Sequence, residues 1–134
     1  MYPIYRGEKM IYLFIVLGGG TGALLRYFST QLMNSAFKTQ FSLGTIFVNC
    51  VGALLIGFLI NFFDVHSLNP KWRLLIITGF LGGYTTFSAY SLETVQYFLN
   101  GNIKYAIMNI LINNVLCILL VLVGLWINNL VFSK

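Results

Sequence analysis

Long apolar runs fill this chain and leave almost nothing with which to cover a water-facing surface. Residues 10–33, 43–63, 71–99 and 103–132 each read as a membrane span, because the hydrocarbon core of a bilayer takes about 20 apolar residues per helix. Only 8% of the 134 residues are charged and 58% are hydrophobic, whereas a soluble domain is about 25% charged. The exterior must therefore meet lipid. The sequence predicts an all-α membrane protein of four transmembrane helices, a single domain over residues 1–134, multi-pass in the cell membrane, with no appended soluble domain. Arg6 and Lys9 precede the first apolar run as in a signal peptide. That run outlasts the usual apolar region and no small-residue cleavage site follows, so it reads as an uncleaved first helix.

The net charge of +5 is spread over loops and ends, without the basic run or interleaved aromatics of a nucleic-acid surface. No nucleic-acid partner is expected. An even number of spans puts both termini on one side. Arg6, Lys9, Lys71, Arg73 and Lys134 gather there, against Lys38 and Lys104 opposite with Arg26 nearby. The positive-inside rule then places the termini in the cytoplasm. Cys50 and Cys117 sit inside spans without metal-ligand spacing and read as packing residues. His66 lies in a loop with no cluster around it.

Span one carries a cluster, Gly18, Gly19, Gly20 and Gly22, and span two carries Gly44, Gly52 and Gly57. Small residues of this kind let transmembrane helices approach closely. Asn69 and Pro70 mark the entrance to span three, and Asn100-Gly101-Asn102 marks the turn into span four. Span three itself is expected to be broken. Its stretch Gly79-Phe-Leu-Gly-Gly-Tyr-Thr-Thr86 combines glycines and β-branched residues, all poor helix formers. Non-helical backbone at membrane depth persists only inside protein or beside a watery cavity.

Polar residues within spans are costly unless they have a partner or a task. Span one has Thr21 and Arg26, span two Thr45 and Asn49, and span three Thr85, Thr86, Ser88, Tyr90, Ser91 and Glu93. Tyr105, Asn109 and Asn113 follow at steps of four and form one stripe on span four. Singly, such groups bond helices together. As a set they exceed what packing needs. Amides, hydroxyls, a phenol and a guanidinium all donate hydrogen bonds, and Glu93 is the sole acid placed within a span. A donor-rich lining with little negative charge suits a small anion. Glu93 is expected to pair with Arg26 or a nearby lysine as readily as to touch a solute. At the break, the incoming half-helix should end near Gly82 to Thr85 with carbonyls that favour a cation such as Na⁺. The outgoing half should begin near Thr86 to Ser88 with N–H groups that favour an anion. Phe87 and Tyr90, three apart, share a face and can turn positive ring edges toward an anion.

Three segments together resemble the Fluc (CrcB) family of fluoride channels: Gly18-Gly-Gly-Thr-Gly-Ala-Leu-Leu-Arg26-Tyr, Gly44-Thr-Ile-Phe-Val-Asn49-Cys-Val-Gly52, and Gly79-Phe-Leu-Gly-Gly-Tyr-Thr-Thr-Phe-Ser88 running on to Glu93. The third is the most specific, and the resemblance covers essentially the whole chain. It implies an antiparallel, dual-topology dimer with two fluoride pores lined by both subunits. It also implies a structural Na⁺ at the dimer centre, held by the carbonyls of Gly82 and Thr85. The pore-facing residues it implies are Asn49, Phe87, Ser88, Tyr90, Tyr105, Asn109 and Asn113, with Arg26 near a vestibule. The implied role is passive export of fluoride that enters as HF. Two departures stand out: Tyr90 occupies a position that is usually phenylalanine, and Cys117 one that is often small and polar.

The partner is expected to be a second copy or, given the uneven flanking charges and the preferred orientation they suggest, an oppositely oriented paralogous subunit. A dual-topology secondary transporter for cationic compounds is the competing reading, although span one offers no acid for proton exchange. A purely structural subunit would leave the broken span and polar stripe without a purpose. No nucleophile, base or metal constellation suggests an enzyme.

Overall fold

The computed structural model describes residues 9–132, with Lys9 by its backbone alone. Arg6, the Lys9 side chain and Lys134, which enter the orientation argument, lie outside the described residues. Helix α1 spans Lys9–Ala36 and α2 spans Leu43–Val65. Helix α3 covers residues 70–84, α4 spans Phe87–Leu99 and α5 spans Ile103–Phe132. Helical structure covers each of the four expected stretches, with ends displaced by three residues or fewer.

Local chemistry explains the ends. The Asn69 side chain accepts a hydrogen bond from Lys71 N at 3.0 Å and Pro70 takes the first helical position, where its missing N–H costs nothing. Gly101, at φ +73°, makes the left-handed turn between α4 and α5 that a side chain would resist.

Helices α1, α2 and α5 are each long and apolar enough to cross a membrane. Side-chain contacts give the relative senses of the helices, including α3 and α4. Phe14 meets Trp72, Gly18 meets Gly79, and Arg26 meets Thr85, so α1 and α3 run parallel. Asn34 bonds Gly44, so α1 and α2 run antiparallel. Asn49 meets Asn113 and Asn61 meets Asn129, so α2 and α5 run parallel. Tyr97 packs on Tyr105 and Thr94 bonds Asn109, so α4 opposes α5. The chain of senses makes α3 and α4 point the same way. Helices α3 and α4 therefore continue in one direction across the break, with no hairpin turning back.

Glycines set the helix spacings. A Cβ on Gly18 would lie 2.2 Å from Leu75 O, one on Gly22 2.1 Å from Phe80 O, and one on Gly83 2.4 Å from Gly19 O. The α1–α3 pair thus closes backbone to backbone. Gly57 and Gly124 do the same for α2 and α5, where added Cβ atoms would sit 2.2 Å from Val121 O and 2.3 Å from Leu54 O. This revises the role expected of the span-three glycines. Gly79, Gly82 and Gly83 remain helical, Gly79 within a π-helical stretch over Leu74–Leu81. The non-helical backbone is confined to Thr85 and Thr86, the β-branched pair.

Sidedness is inverted relative to a soluble protein. Thr45, Asn109 and Asn128 are buried, while Leu13, Val16, Phe28 and Leu32 of α1 and Ile118, Leu122, Trp126 and Leu130 of α5 are more than half exposed. Helices in lipid associate through small and polar residues and turn their large apolar side chains outward.

Candidate functional site

The break is held open by side chains from two other helices, α1 and α2. Thr85 (φ −82°, ψ 159°) and Thr86 (φ −149°, ψ 120°) are extended, so their peptide groups leave the helical ladder. Asn49 of α2 replaces that ladder: its Oδ1 accepts from Thr86 N at 2.8 Å and its Nδ2 donates to Thr86 O at 3.0 Å. The same Nδ2 donates to Asn113 Oδ1 at 2.8 Å. Arg26 of α1 donates from Nη1 to Thr85 O at 3.1 Å, a cation at the negative end of α3. Thr86 Oγ1 caps α4 by accepting from Ala89 N at 3.2 Å. An unsatisfied polar group in hydrocarbon costs several kcal/mol, so these bonds are the condition for the break to exist.

The polar connection runs on through α5 to α4. Asn113 Nδ2 donates to Asn109 Oδ1 at 2.9 Å, and Asn109 Nδ2 donates to Thr94 Oγ1 at 2.9 Å and to Tyr90 O at 3.3 Å. Asn109 is fully buried. The π-helical turn over Ile112–Leu116 widens α5 here, and both Asn113 and its neighbour Asn114 reach the same cavity.

Two cavities meet at Thr86. One, of about 360 Å³, is lined by Asn49, Thr85, Thr86, Phe87, Tyr90 and Asn113 together with Gly82, Asn114, Cys117 and aliphatic groups. None of its lining residues carries a formal charge. The other, of about 610 Å³, is lined by Arg26, Thr45, Thr86, Ser88 and Glu93 among others. The Phe87 and Tyr90 rings stand edge to face, centroids 5.3 Å apart, and Phe87 is 76% exposed.

Of the residues expected to line a path, Asn49, Phe87, Tyr90 and Asn113 share the first cavity, and Ser88 and Arg26 border the second. Asn109 lies behind the wall as the buried link of the relay. Tyr105 lines neither cavity; its ring packs on Phe41 at 5.5 Å and Tyr97 at 5.8 Å. The expectation for Glu93 needs correction. Its Oε1 accepts from the Ser42 hydroxyl at 2.7 Å and the Thr45 hydroxyl at 2.6 Å, while Arg26 is drawn to the Thr85 carbonyl. Two nearby hydroxyls, of Ser42 just before α2 and Thr45 within it, take Glu93 while Arg26 is committed to the helix end. Asn114 escaped the sequence reading. Its Nδ2 donates to the Tyr90 hydroxyl at 2.9 Å, and a stripe drawn at steps of four passes it by.

A hard cation at the end of α3 would find suitable donors. The N–H of Thr86, which would otherwise return to the Gly82 carbonyl, is taken by Asn49. Gly82 is exposed, with only Ile77 O, 3.9 Å away, near its missing Cβ. Thr85 O accepts one bond from Arg26 and keeps a second lone pair. Carbonyl oxygens are the ligand type that hard cations take, and two from one chain leave most of a coordination shell to be completed.

A helical bundle with an apolar exterior, a third span interrupted at Thr85 and Thr86, and an uncharged polar cavity at that break is a multi-pass membrane protein. Residues 13–125 match the family described as CrcB-like protein, Camphor Resistance (CrcB), and the chain belongs to that family. Three relatives are each named "Fluoride-specific ion channel FluC". That of Hydrogenobaculum sp. (strain Y04AAS1) is 46% identical over 116 residues, covering 86% of this chain and 94% of the relative. That of Koribacter versatilis (strain Ellin345) is 43% identical over 112 residues, covering 83% and 89%. That of Campylobacter jejuni (strain RM1221) is 38% identical over 121 residues, covering 90% and 96%.

Proposed function

We propose that this chain is a subunit of a fluoride-specific channel that passively carries fluoride out of the cytoplasm and so reduces its toxicity. The observation that carries this reading is the uncharged cavity at the break, where hydrogen-bond donors and aromatic edges converge without a carboxylate. The first turn of α4 has no intrahelical acceptors for its N–H groups, so the Phe87 and Ser88 amides are available to an anion. Phe87 and Tyr90, which line this cavity, add positive ring edge, and the Ser88 hydroxyl adds a donor in the larger cavity on the other side of Thr86. Asn49 serves differently, because its amide is engaged by Thr86 and Asn113. It holds the break in shape, as Asn109 and Asn113 hold α4 against α5. Arg26 stands at the mouth of the larger cavity, and Tyr105 supports the aromatic cluster behind Tyr97.

The high exposure of Phe87 on a single chain, and of Gly82 beside it, supports a second subunit, antiparallel to the first, that completes the pore. Carbonyls of Gly82 and Thr85 from both subunits would then hold a structural Na⁺, which supplies positive charge at facing helix ends. The partner is a second copy or a paralogue. The competing transporter of cationic compounds has no support: α1 contains no acidic residue, and the relatives' names point elsewhere.

The test is efflux from liposomes holding only the purified protein, followed with fluoride and chloride electrodes. Rapid fluoride loss without chloride loss is expected. Chloride loss at an equal rate would overturn fluoride specificity. Absence of any flux, persisting after a paralogue is added, would overturn the channel reading.

A further inference from the structure

Cys50 of α2 and Cys117 of α5 lie with their Sγ atoms 4.0 Å apart, facing each other from different helices. Both are partly buried and neither is in a disulfide. Cys117 also lines the uncharged cavity at the break, beside Asn113, Asn114 and Val121. We propose that these two thiols form a binding site for a soft, two-coordinate divalent metal ion of the mercury(II) class.

Geometry separates this reading from a disulfide. A disulfide needs a sulfur–sulfur distance of about 2.05 Å, so the sulfurs would have to close by about 2 Å. Close packing of α2 on α5, where a Cβ added at Gly57 or Gly124 would meet a carbonyl oxygen of the opposing helix, leaves that closure to rotation of the two side chains alone. A linear sulfur–metal–sulfur unit, with bonds of about 2.3 Å as in zinc thiolates, sets the sulfurs about 4.6 Å apart. That asks them to part by about 0.6 Å, and the cavity beside Cys117 gives room for it.

Ligand number and charge select the metal. Among the described residues no group of three or more His, Cys, Asp or Glu side chains could hold an ion, which excludes the four ligands that tetrahedral zinc takes. Thiolates prefer soft ions. The exchange is Hg²⁺ + 2 RSH → Hg(SR)₂ + 2 H⁺: two S–H bonds break, two metal–sulfur bonds form, and the protons leave to buffer. The product is neutral. A monovalent soft ion would leave a net negative bis-thiolate in a low-dielectric span, at a large desolvation cost. A bound ion would tie α2 to α5 and narrow the cavity.

The experiment loads the purified full-length protein with one equivalent of mercury(II) chloride, washes it with excess 2-mercaptoethanol, and measures mercury per chain. The wild type should retain one ion. Cys50→Ser and Cys117→Ser, each with a single sulfur, should retain it about 10²-fold less strongly, because a second linked ligand raises avidity by roughly 10²–10⁴. A dithiol should strip the wild type. Equal loss from wild type and single variants would overturn the proposal. So would an intact-mass loss of two hydrogens per chain without bound mercury, the mark of a disulfide. The readout is metal content, so it stands whether or not the protein conducts fluoride.

Discussion

Asn49 uses its amide hydrogens and its carbonyl oxygen within the chain, on Thr86 and Asn113. Asn49→Asp would replace the donor with a second acceptor facing Thr86 O and Asn113 Oδ1. Leaving such groups unsatisfied costs about 1–3 kcal/mol, and an acid beside the cavity repels an anion. Fluoride efflux should be suppressed and thermal stability in detergent lowered; unchanged throughput would show that the clamp is dispensable. Tyr90 poses a different question, since its hydroxyl accepts from Asn114. Asn114→Ala should slow efflux in the wild-type background by freeing the ring. In a Tyr90→Phe background, where the acceptor is already gone, the same change should have little effect. Additive losses in this double-mutant cycle would mean that Asn114 acts elsewhere. At this scale the sequence made the polar cast legible, because membrane spans rarely carry Asn or Thr without cause. It did not reveal the partners. Glu93 chose Ser42 and Thr45 over Arg26 because hydroxyls at the start of α2 are near it, and no spacing rule along the chain reports that proximity.

The third span was expected to break, and it does, but the residues responsible are Thr85 and Thr86. The glycines upstream remain helical and serve the α1–α3 contact. Propensity reports that a segment is a poor helix former without saying whether tertiary packing will override it, and here backbone-to-backbone contact keeps Gly79 and Gly83 in the helix. Gly22→Val tests the point. Its side chain would meet Phe80 O and Tyr84 N, both backbone atoms, and overpacking of this kind costs about 1–3 kcal/mol. A fall in melting temperature is expected, whereas Gly20→Ala, with nothing within 4 Å of its Cβ position, should leave it unchanged. Past the break, Phe87→Ile keeps a large apolar group and removes the ring edge. Fluoride flux should vanish while the oligomer, read by size-exclusion chromatography, stays intact; wild-type flux would dismiss the aromatic contribution. The π-helical turn at Ile112–Leu116 was illegible, because its residues, Asn113 and Asn114 included, are equally compatible with a regular α-helix.

The molecule as a whole is uneven in charge between its two ends and leaves Phe87 and Gly82 exposed at its surface. If insertion follows the basic flanks, epitope tags at both termini should be accessible from one side of the membrane only. Equal labelling from both sides would establish dual topology in a single gene product and favour a homodimer. The cavity at the break has a consequence for bulk conditions. With no formal charge among its lining residues, an anion held there would depend on fixed dipoles and hydrogen bonds at contact range, which mobile ions do not screen. A binding site built on exposed arginines weakens as ionic strength rises, because the Debye length falls from about 10 Å at 0.1 M to about 3 Å at 1 M. The initial rate of fluoride efflux, measured at constant fluoride with an impermeant salt raised over that range, should stay nearly flat.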